Sequence, residues 1–209
     1  MTGPAALKAR YRAGPAAMIV AHRSAWDAAP ENSRAAIRAA AAFDVVEIDG
    51  RLAADGGVVL MHDETLLRTT EDARAVAGVT ADEIRALRLR HGRGGPEAAV
   101  SEERVPGLAE ALAAGPWLLF DLDAKSPAET EAVARAAVAA GAADRAAIKI
   151  DVADADGLAE LAALEARTGL AVTAKLVLRD AESLALVEAV AAADVAVAEV
   201  WFDDLDLVR

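Results

Sequence analysis

A TIM-type (β/α)8 barrel, an α/β fold with about seven of its eight strands inside the 209 residues, is expected from two observations. Short β-type runs alternate with helical patterns almost throughout, the signature of βα units laid around a parallel sheet. Chemistry-bearing residues stand at the ends of apolar runs, in Ile19-Val20-Ala21-His22-Arg23, Val46-Glu47-Ile48-Asp49 and Leu60-Met61-His62-Asp63. A barrel of this kind assembles its site at the C-terminal ends of its strands.

The strands are expected near 18–23, 44–49, 58–62, 117–123, 146–151, 170–177 and 194–201. Thr80-Ala81-Asp82-Glu83 and Ser126-Pro127-Ala128-Glu129 have capping-box spacing and open helices, the second with Pro127 at the first helical position and Gly141 beyond its end. Asp180 is the expected N-cap of a helix running through Ala192. His91-Gly92-Arg93-Gly94-Gly95-Pro96 reads as a loop, and Val105 to Ala114 returns the chain to the next strand. No repeat exceeds the βα unit, so residues 1–209 read as a single domain. The tail from Trp201 to Arg209 stops where a last βα unit would follow, and a truncated or incomplete barrel is the expectation.

Composition narrows the function. Hydrophobic residues make up 55% of the chain and aromatics only 3%, which predicts a core of layered Val, Leu, Ile and Ala. The absence of cysteine excludes disulfides, thiolate metal sites and a cysteine nucleophile. The first residues lack the apolar stretch of a secretory signal, and no run reaches the ~18 apolar residues that span a bilayer, so a cytoplasmic protein without membrane insertion is expected. A formal charge of -12 disfavours nucleic acid as a partner. An anionic substrate would then need a local reversal of the field, which a divalent cation supplies.

Alternate strand residues share a face, so Glu47 and Asp49 point one way and Ile48 the other. Two carboxylates on one inward face repel unless a cation sits between them. Adding Asp123 from another strand makes an oxygen-only site suited to Mg²⁺ or Ca²⁺. Asp121, two residues earlier on the same face, competes for that place. Arg23 can offer a planar guanidinium to phosphate and Lys125 a point charge.

His22-Arg23-Ser24, Pro30-Glu31-Asn32, Glu47-Ile48-Asp49, Asp55-Gly56 and His62-Asp63-Glu64-Thr65-Leu66-Leu67-Arg68-Thr69-Thr70 follow one another in the order and spacing of a known pattern. In these segments the chain resembles the glycerophosphodiester phosphodiesterase family, which has His-Arg-Gly, Pro-Glu-Asn, Glu-x-Asp, Asp-Gly and His-Asp-x-x-Leu-x-Arg-Thr-Thr. A Glu-x-Lys of the family is matched by Asp123-Ala124-Lys125. Ser24 departs from the family's Gly and Asp123 from its Glu, and motif resemblance ends near residue 125. It implies metal-dependent cleavage of a small-molecule glycerophosphodiester to glycerol 3-phosphate and an alcohol. His22 and His62 would be the acid and base, Glu47, Asp49 and Asp123 the metal ligands, and Arg23 and Lys125 the substrate ligands. A neighbouring substrate hydroxyl would attack first to give a cyclic phosphate that water then opens.

Two other readings stay open: a phospholipase D or sphingomyelinase D-like enzyme with the same His, Glu-x-Asp, His layout, and a catalytically impaired barrel that binds a phosphate ligand or a partner. Glu31 and Asn32 are expected to fix a loop and cap the next helix. Ser24 is expected to restrict backbone that a Gly would leave free. His91 reads as solvated, and Trp26 and Trp201 as packing residues with a secondary option of facing a cationic headgroup. Asp203, Asp204 and Asp206 read as a solvated helix start. The oligomeric state is left open.

Overall fold

The computed structural model describes residues 2–15, 18–178, 181–193, 195 and 197–202. Six strands lie parallel in one curled sheet: β1 (Val20–Ala21) pairs with β2 (Val45–Leu52), and β2 with a strand at Leu119–Asp123. The sheet continues through Ala146–Asp151 and Ala171–Leu178 to Val197–Phe202, each parallel to the one before. With β3 (Val58–Leu60), β4 (Arg88–Arg90) and β5 (Val100–Arg104) between them in sequence, these four are β6, β7, β8 and β9. β1 and β9 end the strand order and are not paired to each other among the described residues, so the sheet forms a half-barrel.

The 58–62 segment is a strand, but not a stave of the parallel sheet. β3 runs antiparallel to β2, with Gly50 opposite Leu60 and Leu52 opposite Val58. The reason is chain length: residues 53–57 are too few for the dozen or more that a parallel crossover needs, whereas Asp55-Gly56-Gly57 makes a tight turn with Gly56 at φ +80°. Of the seven strands expected, therefore, six are staves. β4 and β5 form a separate antiparallel pair, and the Gly-rich loop at 91–96 joins them.

Period-two alternation sorts the two faces of the sheet. Val46, Ile48, Phe120, Leu122 and Ile148 turn outward against Ile37 of α2 (Arg34–Ala39), Leu112 of α4 (Leu108–Ala114), Val133 of α5 (Pro127–Ala139) and Leu161 of α6 (Ala155–Thr168). The intervening labels fall to α1 (Pro4–Ala13), α3 (Ala81–Ala86) and, after β8, α7 (Ala181–Ala192). Gly50 marks the closest approach of α5 to β2, since a Cβ there would lie 2.7 Å from Val133 Cγ2.

The cap signals hold. Thr80 and Glu83 form a reciprocal capping box on α3, and Ser126 Oγ accepts from Glu129 N at 3.3 Å to start α5. Gly141 follows α5 at φ +72°. Asp180 and the acidic residues at Asp203, Asp204 and Asp206 lie outside the described residues. Among the described residues no helix is long and apolar enough to cross a membrane.

Two further features position the site. Residues of the β2–β3 hairpin and the excursion after it, including Val59, Met61, Leu66, Ile84, Leu89 and Val105, bury one another in a second apolar cluster. That cluster holds the His62–Thr70 segment against the C-terminal end of the sheet. At the opposite end α1, which the sequence reading passed over, seats Leu7 on Val45, Leu119, Ala147 and Ala171 at the strand starts. Pro4 at the first turn and the i, i+4 pair Leu7 and Tyr11 were its signals.

Leu7 is fully buried, so Leu7→Ala should remove about 2–5 kcal/mol of stability. Urea denaturation of the two proteins measures the loss, and a change within error would mean that α1 does not help to close the sheet.

Candidate active site

Cross-strand register brings the acidic residues together. Glu47 lies opposite Asp121 and Asp49 opposite Asp123 in the β2–β6 pair, with all four on the inward face. Oxygens of Glu47, Asp49 and Asp123 fall within 4.8 Å of one another, the carboxylates of the first two being buried. Such a set of oxygen donors fits a hard divalent cation.

The charges are unevenly balanced. Lys125 Nζ donates to Asp49 Oδ1 at 2.8 Å and Asp123 Oδ2 at 2.6 Å. Asn32 Nδ2 donates to Asp49 Oδ2 at 2.9 Å, and Asn32 Oδ1 accepts from Asp49 N at 3.1 Å. Burial would raise the Asp49 carboxyl, but the Lys125 ammonium and these hydrogen bonds outweigh it and hold the group below the ordinary carboxylate value. Glu47 has less help. Burial, followed by the charge of Asp49, pushes its carboxyl up to about 8, against one hydrogen bond from Arg23 N at 2.7 Å. The ionised form of Glu47 is therefore disfavoured on its own, a condition that a bound cation would relieve.

Asp121 is drawn elsewhere. Lys149 Nζ stands 3.0 Å from Asp121 Oδ2 and 2.6 Å from Glu199 Oε2, deep in the half-barrel. Burial opposes the charge on Lys149, but the two carboxylates dominate and raise it above the ordinary lysine value. Sequence reasoning put Asp121 and Asp123 on one face and favoured Asp123 through its match to the Glu-x-Lys motif. What separates them is Lys149, a residue 28 positions beyond Asp121 whose inward direction depends on sheet register.

His22 follows β1 directly, with Nε2 3.9 Å from Glu47 Oε2. Burial and then the Arg23 charge hold its imidazole below the ordinary histidine value, which favours the neutral ring at pH 7. His62 is delivered by the hairpin, since Met61 N donates to Asp49 O at 3.0 Å. Its Nδ1 lies 2.8 Å from Asp63 Oδ1, which leaves Nε2 for exchange with a substrate. Arg23 is buried, with Nη1 3.4 Å from Glu31 Oε2 and Nε 3.7 Å from Asp49 Oδ2. Its Nε has no hydrogen-bond partner among the described residues, so one donor remains for an anion.

Residues 22–191 match the glycerophosphoryl diester phosphodiesterase family. The chain belongs to that family. It is 40% identical over 102 residues to glycerophosphodiester phosphodiesterase 1 of Bos taurus, an overlap covering 45% of this chain and 29% of that protein. The chain thus spans under a third of the length of that curated relative. The crystal structure of a glycerophosphoryl diester phosphodiesterase domain from Mycobacterium tuberculosis is 28% identical, with a TM-score of 0.60 over 75% of this chain and 59% of that one. A phosphodiesterase of Oleispira antarctica, solved with its product sn-glycerol-3-phosphate, shares the fold at 22% identity and a TM-score of 0.62, covering 82% of this chain and 71% of that chain.

Several residues of this family member act differently from the sequence reading. Asn32 does not cap α2; Ser33 does, its Oγ accepting from Ala36 N at 3.0 Å, while Asn32 is bound face to face with Asp49. Trp26 is 37% exposed under the Arg93 guanidinium at 5.5 Å, and Trp201 is 55% exposed with Lys175 Nζ 5.8 Å from its ring. Neither is a core packing residue, and the cation over each ring is the protein's own. His91 is exposed, in keeping with a solvated side chain. Asp63 and Arg68 were missed as site residues although both stand in the quoted His-Asp motif. Arg68 Nε donates to Asp63 Oδ2 at 2.6 Å.

Ser24 occupies left-handed backbone at φ +66°, directly after Arg23 at φ +53°, and its buried Oγ has no partner among the described residues. Both are costs that Gly would avoid. Ser24→Gly should raise stability by about 1 kcal/mol, the loss of left-handed strain and of a buried unpaired hydroxyl outweighing glycine's extra unfolded-state entropy. Thermal unfolding of both proteins checks this, and a lower midpoint for the variant would contradict it.

The Arg68 hydrogen bonds, followed by that of His62, overcome burial and bring the Asp63 carboxyl down to about 2. A depressed folded-state value means stability present above the unfolded value of about 3.9 and lost as pH falls towards about 2. Asp63→Asn should therefore flatten the stability decline between about pH 4 and pH 2 relative to the parent. Urea titrations across that window read the difference, and parallel curves would exclude it.

Proposed function

We propose that this chain hydrolyses glycerophosphodiesters to glycerol 3-phosphate and an alcohol, with Mg²⁺ or Ca²⁺ held by Glu47, Asp49 and Asp123. The observation that carries the reading is the convergence of these three carboxylates within 4.8 Å beside His22, with the His62 segment bonded to Asp49. Membership of the family supports the substrate class. When bound, the cation polarises a phosphoryl oxygen and offsets the charge developing there.

The remaining work falls to the chain's own groups. Arg23 Nε, buried and without a hydrogen-bond partner among the described residues, donates to a phosphate oxygen, and Lys125 adds a second positive charge. His22, neutral at pH 7, takes the proton from the attacking hydroxyl as its oxygen bonds to phosphorus. The bond from phosphorus to the alcohol oxygen breaks, and that oxygen receives its proton from Nε2 of His62 in its imidazolium form, which is left as the neutral Nδ1–H ring. Asp63 keeps the His62 ring turned for this transfer by accepting from Nδ1. Where a neighbouring hydroxyl of the substrate attacks first, water opens the cyclic phosphate with the two histidines in exchanged roles.

The test is hydrolysis of glycerophosphocholine with titrated Mg²⁺ and Ca²⁺, following glycerol 3-phosphate. Turnover should require the cation, and His22→Ala and His62→Ala should each lower it by about 10²- to 10⁴-fold. Calorimetry of the same ions should show a larger affinity loss in Asp123→Asn than in Asp121→Asn. Cation-independent turnover, or no turnover of several diesters by folded protein, would count against the reading.

A further inference from the structure

We propose that Arg68 is a positioning residue that ties the proton-transferring His62 to the phosphate-binding Arg23 through one guanidinium. The inference rests on the phosphodiesterase reading for the roles of those two side chains. The arrangement itself is geometric. Arg68 Nη2 donates to Glu31 Oε1 at 2.6 Å and to Asp63 Oδ1 at 3.0 Å, while Nε donates to Asp63 Oδ2 at 2.6 Å. Both carboxylates also face the site: Asp63 Oδ1, shared with Arg68 Nη2, meets His62 Nδ1 at 2.8 Å, and the other oxygen of Glu31, Oε2, meets Arg23 Nη1 at 3.4 Å. An unbroken path thus runs His62, Asp63, Arg68, Glu31, Arg23.

Among the described residues, each end of the path lacks another anchor of comparable quality. The Arg23 guanidinium has there the long contact to Glu31 and the 3.7 Å approach to Asp49. The imidazole of His62 has Asp63, while Arg51 holds only its backbone carbonyl, at 3.2 and 3.1 Å. Glu31 is 2% exposed and would be a costly buried charge without Arg68. A planar guanidinium can serve both carboxylates at once because its donors diverge in a fixed plane; an ammonium of similar reach cannot hold that geometry.

Arg68 is itself clamped by the Gly-rich loop between β4 and β5. Arg68 Nη1 donates to Arg93 O, and Gly95 N donates to Arg68 O at 2.7 Å. Gly92 O accepts from Glu31 N at 2.8 Å, so the same loop grips both partners. Gly94 is needed for the approach: it sits at φ +73°, and a Cβ there would lie 2.3 Å from Arg68 O. The loop that joins β4 to β5 therefore holds the hub of the path from outside the half-barrel.

The full chain with Arg68→Lys and with Arg68→Ala tests the role. Arg68→Lys should fold and bind cation as the parent does, yet lose kcat on glycerophosphocholine by about 10- to 100-fold with little change in KM, the cost of a small misplacement at the reacting centre. Guanidinium ion at low concentration should restore part of the kcat of Arg68→Ala and none of that of Arg68→Lys. Read at a pH where the ring is neutral, ring ¹⁵N shifts of His62 should report one Nδ1–H tautomer in the parent and a mixture in Arg68→Lys, whether or not turnover occurs. Parental kcat together with the parental tautomer in Arg68→Lys would overturn the inference. A parent with no turnover would overturn the phosphodiesterase reading instead, and the tautomer would still decide the role of Arg68. If Arg68→Ala fails to fold, Arg68→Lys carries the decision alone.

Discussion

Repulsion among carboxylates on the inward face of β2 and β6 is the constraint around which the rest is arranged. Two unit charges about 4 Å apart near a protein surface repel by about 4 kcal/mol, a large part of what holds any domain folded. Glu47, Asp49 and Asp123 are closer to one another than such charges tolerate unaided. Each neighbouring residue answers part of that cost. Lys125 spans Asp49 and Asp123, Asn32 saturates the remaining Asp49 oxygen, and a backbone amide from the strained Arg23-Ser24 turn reaches Glu47. Glu47 keeps the largest uncompensated share, and its carboxyl is pushed up to about 8.

The fold places this repulsion where it can be managed. Outward residues of the same strands, Val46, Ile48, Phe120 and Leu122, are packed among helices, so the strands cannot rotate to part the carboxylates. The excursion after the β2–β3 hairpin brings a cation in from outside the parallel sheet, Arg68, while Arg51 near the end of β2 holds the His62 carbonyl. Charge is then layered: carboxylates at the centre, Arg23 and Lys125 against them, Glu31 and Asp63 behind, and Arg68 joining those two. A net charge of -12 is compatible with binding an anion because the local order of charges differs from their sum.

Much of the architecture was legible in the chain, for reasons that are local. The βα rhythm follows from hydrophobic periodicity, and the starts of α3 and α5 follow from side chains that bond to amides three residues away. The antiparallel course of β3 was also legible in principle, because five linking residues forbid a crossover. α1 was harder, since its apolar residues are few and its burial depends on the strand starts it covers. The β4–β5 pair has short strands and a charged face, so its pattern is faint; its apolar side is explained only by the second cluster.

At the site, sequence alone determined which acidic and basic residues stand at the strand ends and on which face of each strand they lie, because strand alternation and motif spacing act over a few residues. Partnership was decided by tertiary structure. Lys149 takes Asp121 while Lys125 takes Asp49 and Asp123, Asn32 serves Asp49 in place of a helix cap, and Arg68 joins Glu31 to Asp63. Those pairings span up to 76 residues along the chain. They depend on cross-strand register and on the path of a loop, and no local rule links such distant positions.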